Sequence, residues 1–177
     1  MGLNATAGTL LGFLHDGPRT GWGIWSEIEV SVGNFWNVTR SQVYRELGRL
    51  AEDGLVKALP AGPRDRQPFR ITAKGRAAFR RWLADGPAPE TRRIPILLST
   101  FFAAHLPAAT FAAMLDEQEH EAAATLARFE ALEVIPMDPF QAATLQFGLG
   151  YAQLVQRWIN DVARPLVEEH HGADRAP

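Results

Sequence analysis

Along the first half of the chain the apolar positions follow a helical period three times and then change to alternation. Ala7, Leu10, Leu11 and Leu14 stand at i, i+3, i+4 and i+7, which predicts an amphipathic helix. Asp16-Gly17-Pro18 ends it. Thr20 is placed to cap a second helix, in which Trp25, Ile28 and Val32 repeat on one face and Ile24 joins Ile28; Gly33-Asn34 closes it. The third helix starts at a capping box, Thr39-Arg-Ser-Gln42, where each end satisfies the other's orphan amide. Val43, Leu47 and Leu50 then point inward. The 100° step per residue puts Ser41, Gln42, Arg45, Gly48, Arg49 and Glu52 on the opposite side. After Asp53-Gly54, Leu55-Val-Lys-Ala-Leu59 reads as a short strand, Pro60 to Arg66 as a hairpin tip, and Pro68-Phe-Arg-Ile-Thr72 as the returning strand. Three helices and a two-stranded hairpin is the order of a winged helix-turn-helix.

Thr72 is placed to cap a further helix, Ala73 to Ala84, and Asp85-Gly-Pro-Ala-Pro-Glu90 is dense enough in proline and glycine to be a linker. Beyond it the pattern is helical throughout, over about 94–105, 108–132 and 139–168, punctuated by Pro107, Pro136 and Pro139. Asp138-Pro139-Phe-Gln141 sets a cap, a proline at the first helical position and a glutamine three residues after the cap. Gly148, Ala152, Val155, Ile159, Val162 and Leu166 then follow in steps of four and three. That is the spacing of a seam that packs against another helix, of the same chain or of a second copy. The expected architecture is mainly α: a winged helix-turn-helix over 1–85 and a helical dimerisation domain over 86–177.

Charge divides the chain in the same place. Residues 1–85 hold 12 Lys+Arg against 8 Asp+Glu, a net of +4, and residues 86–177 hold 6 against 12, a net of −6. Within 40–81 the count is 11 against 4, a net of +7 over the third helix, the hairpin and the fourth helix. A basic stretch of that length is either a solvated face or the electrostatic footprint of a nucleic-acid reader. With 177 residues, 46% of them hydrophobic, the chain is long enough for one ordinary core or two small ones. It has no cysteine, which removes disulfides, thiolate metal sites and cysteine catalysis and fits a reducing cytoplasm. The first residues lack the basic and apolar regions of a signal peptide, and the most apolar run, Ile94 to Leu106, is too short and too polar for a membrane span.

Enzymatic motifs fail one by one. There is no phosphate-binding Gly-x-x-x-x-Gly-Lys-Ser/Thr loop, and Gly21-x-Gly23 lacks both a third glycine and a preceding strand. His120-Glu121 has Ala124 where a second zinc ligand would stand, and His170-His171 sits in a polar tail. His15 and His105 read as local caps or core-edge residues, and Asp116, Glu117, Glu119 and Glu121 as a solvated helix face. No catalytic residue, metal site or cofactor is expected.

Several blocks resemble the PadR family of winged-helix regulators, in the family's order. Gly17-Pro-Arg-Thr-Gly-Trp-Gly-Ile is similar to its Gly-Pro-x-x-Gly-Tyr segment, with Trp22 in place of the tyrosine. Phe35-Trp36-Asn-Val-Thr39 and Gln42-Val-Tyr44-Arg-Glu-Leu47-Gly-Arg-Leu50-Ala-Glu-Asp-Gly54-Leu-Val resemble its recognition-helix block. Arg70-Ile-Thr72-Ala-Lys-Gly75 resembles the strand that closes its wing, and Phe147-Gly-Leu-Gly-Tyr-Ala with Trp158-Ile resembles the end of its helical domain. The resemblance runs over about residues 5–168.

It implies a homodimeric DNA-binding regulator, by family default a repressor, on an inverted-repeat operator in double-stranded DNA. The third helix would enter the major groove and the wing lie along the backbone. On chemical grounds Arg45 and Arg49 each offer a fork to guanine O6 and N7, and Gln42 can pair with adenine. Thr39, Arg40 and Ser41 stand at the helix N-terminus, where orphan N–H groups favour phosphate. Tyr44 is near DNA in the family; the bland alternative is a phenol filling the joint between helix and wing. Gly48 leaves room for close approach of DNA, and Arg64 and Arg66 at the wing tip suit phosphate or minor-groove contacts. The resemblance also implies a small hydrophobic or aromatic effector. Trp22, Trp25, Trp36, Phe101, Phe102 and Trp158 are its candidate pocket, against the competing expectation that these aromatics, with Phe35, simply fill cores. Outside this family reading, the chain is a protein-interaction adaptor or a small-molecule-binding module whose winged helix does not read DNA.

Overall fold

Two separate apolar cores organise the chain, one in each of two units, Met1–Glu90 and Thr91–Pro177. The structure, a computed structural model, describes residues 2–33, 35–62, 67–87 and 93–173. In the first unit α1 (Ala5–Phe13) starts at Asn4, whose side-chain oxygen accepts the N–H of Ala7 at 2.8 Å. Its stripe of Ala7, Leu10, Leu11 and the following Leu14 is buried. His15 closes the helix, its Nδ1 lying 2.9 Å from the Leu11 carbonyl. Thr20 caps α2 (Gly21–Ser31), and Thr39 caps α3 (Arg40–Glu52). Strands β2 (Val56–Ala58) and β3 (Pro68–Ile71) pair antiparallel, and α4 (Ala73–Ala84) follows. Helix α3 packs on α1 and α2, and α4 packs on α1.

The sheet has three strands where the sequence predicts two. Arg19–Thr20, here β1, pairs antiparallel with β3, Arg19 opposite Phe69 and Thr20 opposite Pro68, so the order is β1-β3-β2. Two residues are too few to show alternation, and so the strand left no trace in the pattern. Pro63 to Arg66, with the wing-tip candidates Arg64 and Arg66, lies outside the described residues.

The elements around α3 meet at one carbonyl. The oxygen of Leu55 accepts the Thr72 N–H at 3.0 Å. The Thr72 hydroxyl lies 2.9 Å from the Gly54 carbonyl and 3.1 Å from that of Leu55, and accepts the Gly75 N–H at 3.0 Å. Lys74 Nζ donates to the Asp53 carbonyl at 2.7 Å, and Gly54 takes a φ of 68° to turn the chain out of α3. Gly75 is buried here, and a Cβ on it would overlap the Leu55 carbonyl oxygen.

The second unit is helical: α5 (Pro95–Phe101), a 3-10 turn (Ala103–His105), α6 (Ala108–Glu133), α7 (Pro139–Trp158), a π turn (Ile159–Ala163) and α8 (Arg164–Ala173). Asp138 and Gln141 form the expected capping box at the start of α7. Ile96, Ala108, Phe111, Leu115, Ile159, Ala163 and Val167 form the core. Arg164 clasps α6 through Asp116 at 2.8 Å and Glu119 at 2.6 Å. The hydrogen bond that Arg164 donates to Asp116, with the nearby charge of Glu119, outweighs burial and raises the guanidinium pKa further.

The predicted seam does not run as one line. Gly148 packs under Phe129 of α6, and Ala152 and Ile159 are buried within the same chain. The π turn then shifts the register, so that Ala163 and Val167 take the buried positions while Val162 and Leu166 stand exposed. The residues before the turn are intrachain core.

Replacing Gly75 with alanine sets a new methyl against a backbone atom that cannot rotate away. We expect Gly75→Ala to cost about 3 kcal/mol, the upper end of overpacking penalties. Urea unfolding checks this; stability within about 0.5 kcal/mol of the parent would show that the junction yields.

Candidate nucleic-acid interface

The sequence of α3 decides which of its sides faces out. The Thr39 side-chain oxygen accepts the Gln42 N–H at 3.3 Å, and Gln42 Oε1 accepts the Thr39 N–H at 2.8 Å and its hydroxyl at 3.0 Å. With the start thus pinned, Val43, Leu47 and Leu50 are buried, and Ser41, Tyr44, Arg45, Gly48, Arg49 and Glu52 are exposed. Around Gly48 there is open space. The outward face predicted from periodicity is present except at Gln42, which is half-buried and whose oxygen is taken by the cap. Two-armed pairing with adenine needs that oxygen, so it requires the capping box to open.

The cations on this face are held differently. Arg40 is exposed, with its guanidinium carbon 5.8 Å from the centroid of the Tyr44 ring, and Tyr44 itself is 45% exposed. Arg49 lies 3.7 Å from a carboxylate oxygen of Glu46, whose other oxygen accepts from Asn4 at 2.8 Å. Among the described residues no ion pair engages Arg45. Sequence reasoning missed Glu46, which is 7% exposed, because a carboxylate was not expected inside. Its position three residues after Val43 and four before Leu50, on the apolar stripe, was the available signal.

The wing adds two more missed cations. Lys57 of β2 and Arg70 of β3 are direct cross-strand partners, and both are exposed. Like charges placed opposite each other destabilise a strand pair unless an anion joins them. The cross-strand register, unavailable from the sequence, is what brings them together.

The six aromatic candidates fall three to each unit. Ile24 and Ile28 occupy the inner face of α2, which turns Trp22, about 200° from Ile24, outward and leaves Trp25 at the core's edge. Trp36 is exposed in the turn before α3, as is its neighbour Phe35. In the second unit Phe101 and Phe102 meet edge to face at 5.0 Å and are exposed, and Trp158 packs against the core. Core filling therefore fails for Trp22, Phe35, Trp36, Phe101 and Phe102. An open groove of about 400 Å³ in this unit takes in Phe101, Phe111, Leu166 and Val167, with Thr100 and Glu169 as polar members. Among the described residues no group of three or more His, Asp or Glu side chains is arranged to hold a metal, and no helix is long and apolar enough to cross a membrane.

Comparison with known proteins matches residues 10–81 to the Transcriptional regulator PadR-like family and residues 92–166 to the family described as Virulence activator alpha C-term. The negative transcriptional regulator PadR of Bacillus subtilis is 28% identical over 97 residues, 52% of this chain and 53% of that protein, so the chain spans about half the length of this relative by sequence. By structure the chain is similar to a PadR-like regulator of Bacillus cereus (TM-score 0.82, 17% identity, 93% of this chain and 99% of the other). Bacillus subtilis PadR in complex with operator DNA gives a TM-score of 0.78 at 21% identity, over 93% and 99% of the two chains. The same protein with p-coumaric acid gives 0.73 at 21%, with the same coverage. The Vibrio cholerae virulence activator AphA gives 0.72 at 26% identity, over 92% and 98%. Two family matches in succession, one on each unit, and a shared fold along nearly the whole length agree: residues 10–81 form a PadR-like transcriptional-regulator domain, and the chain has the fold of the PadR-like regulators.

Proposed function

We infer that this regulator acts by binding double-stranded DNA, as a repressor that sits on an inverted-repeat operator as a homodimer in the cytoplasm. The observation that carries the reading is the outer face of α3. Ser41, Arg45, Gly48 and Arg49 stand exposed together on a helix whose opposite stripe is buried. Such a helix fits the major groove, where a guanidinium fork is worth about 1–3 kcal/mol of discrimination at guanine. Arg40, Ser41 and Thr39 at its N-terminus suit phosphate, and the Lys57–Arg70 pair gives the wing a second phosphate site, the anion relieving the repulsion between them. The operator complex of Bacillus subtilis PadR supports this reading.

The dimer rests on a stripe next to the predicted seam. Phe140, Phe147, Tyr151 and Leu154 are exposed on α7 and lie within about 60° of one another around it. A stripe of four large exposed apolar side chains along one line of a helix fits burial against a second copy. A small hydrophobic or aromatic effector belongs to the same reading, supported by the p-coumaric acid complex of Bacillus subtilis PadR and by the groove beside Phe101.

Selection of bound sequences from a random duplex pool tests the reading as a whole. It expects an inverted repeat with half-sites about one helical turn or a small multiple apart; recovery of no sequence would leave the interaction-module reading in its place. On the selected operator, Arg45→Ala should lose about 1–3 kcal/mol and relax preference at one base pair. Arg70→Gln should instead weaken all duplexes alike and lower the slope of log affinity against log salt by about one. If both variants match the parent in affinity and slope, α3 and the wing do not carry the binding. Gly48→Ala should raise stability by about 0.5–1 kcal/mol in urea unfolding while weakening operator binding; unchanged affinity would mean that nothing approaches the helix there. Phe147→Glu should sediment as a monomer at concentrations where the parent is a dimer, and a persistent dimer would remove the α7 stripe from the interface.

A further inference from the structure

Gly21 opens α2, is buried, and faces the ring of Tyr44 in α3. A Cβ on Gly21 would lie 2.8 Å from one ring carbon of Tyr44 and 3.1 Å from two others, closer than real side chains pack. The backbone does not call for glycine: among the described glycines only Gly17, Gly54 and Gly86 have positive φ. What the missing side chain provides is a seat for the ring. That ring is 45% exposed, stands on the α3 surface, and has the Arg40 guanidinium 5.8 Å from its centroid, within reach of a cation–π attraction. Arg40 is the first residue of α3, beside the orphan N–H groups that favour an anion.

We propose that Gly21 is a positioning residue for DNA binding: it seats the Tyr44 ring, and the ring holds Arg40 at the N-terminus of α3, where a DNA phosphate binds. The proposal rests on the DNA-binding reading above. It adds a contact that passes from the start of α2 through an aromatic platform to a cation, without Gly21 touching DNA. A Cβ at Gly21 pushes the ring off its seat, and Arg40 loses the surface that orders it. The cost then appears as a lost phosphate contact, not as a lost base preference.

The test measures affinity for the selected operator, its salt dependence and the thermal midpoint for the full chain and for Gly21→Ala, Tyr44→Ala and the double variant. Gly21→Ala should bind about tenfold more weakly, with the slope of log affinity against log salt reduced by about one and the ranking of operator sequences unchanged. In the Tyr44→Ala background, where no ring is left to displace, adding Gly21→Ala should change affinity by less than about twofold. If Gly21→Ala alone fails to fold, the double variant should regain the fold and match Tyr44→Ala, because the collision is gone. The proposal is overturned if Gly21→Ala binds like the parent, or if its loss persists in full without the Tyr44 ring. It is also overturned if affinity falls with an unchanged salt slope, the mark of a merely structural defect. A parent chain that selects no duplex would bring down the DNA-binding reading and the proposal with it; each of the other outcomes requires a parent that binds, so the two failures are distinguishable.

Discussion

The carbonyl oxygen of Leu55 is the point on which the first unit turns. It takes the Thr72 N–H, lies within reach of the Thr72 hydroxyl, and has Gly75 pressed against it. The end of α3, the first wing strand, the last wing strand and the start of α4 are thereby joined within a few residues, although Leu55 and Thr72 are far apart in sequence. Neither a helix of this length nor a two-stranded hairpin is stable alone in water. The junction makes each the support of the other, so the wing's cations and the outer face of α3 are carried by one rigid frame.

That frame sets the terms on which the cations act. Arg49 is drawn toward Glu46, and Glu46 is in turn tied to Asn4 at the start of α1, so part of the order Arg49 needs is present before any contact is made. Arg45 has no such tie among the described residues and must lose its rotamer freedom on binding, at a cost of up to about 2 kcal/mol. A base reader that is free beforehand discriminates by what it gains at the right base. A pre-ordered cation contributes more evenly across sequences. On the DNA-binding reading proposed above, the two arginines, one turn apart on the same face, would thus take different parts.

How much of this was legible follows the range of the forces involved. The three capping residues Thr20, Thr39 and Thr72, the inner stripe of α3 and the start of α7 act over a few residues, and the sequence displays them. What it hid depends on partners distant along the chain. Glu46 is buried because Asn4 waits for it; Arg19–Thr20 is a strand because β3 offers an edge; Lys57 and Arg70 confront each other through register alone. The seam after Gly148 holds as intrachain core up to Ile159 and departs from the predicted line at Val162 and Leu166 for a different reason. A repeat of fours and threes assumes an unbroken helical period, and the π turn at Ile159–Ala163 changes that period midway, so one apparent line divides between core and surface. The aromatics misled through their chemistry: Trp22 suggests a core, but the inner face of α2 is already filled by the smaller aliphatic Ile24 and Ile28.

The glycines of the first unit bring the argument to its sharpest point. A glycine inside a helix costs about 1 kcal/mol against alanine, so each needs a reason. Gly8 lies under the Trp82 ring, Gly12 faces Phe79, Gly21 seats Tyr44, Gly23 meets the Thr20 hydroxyl that caps its helix, and Gly75 meets the Leu55 carbonyl. At Gly8, Gly21 and Gly75 a neighbour within the unit occupies the place where a side chain would go, and at Gly12 and Gly23 a neighbour crowds it. Gly48 differs, with nothing within 4 Å of where its Cβ would be. Its neighbours along the outward face are Ser41, Arg45 and Arg49, and the loss of helix stability it brings is returned by no contact inside the fold. No contact inside the fold accounts for its smallness; on the DNA-binding reading proposed above, the open backbone between Arg45 and Arg49 is where a phosphate-bearing surface would come closer than a methyl group allows.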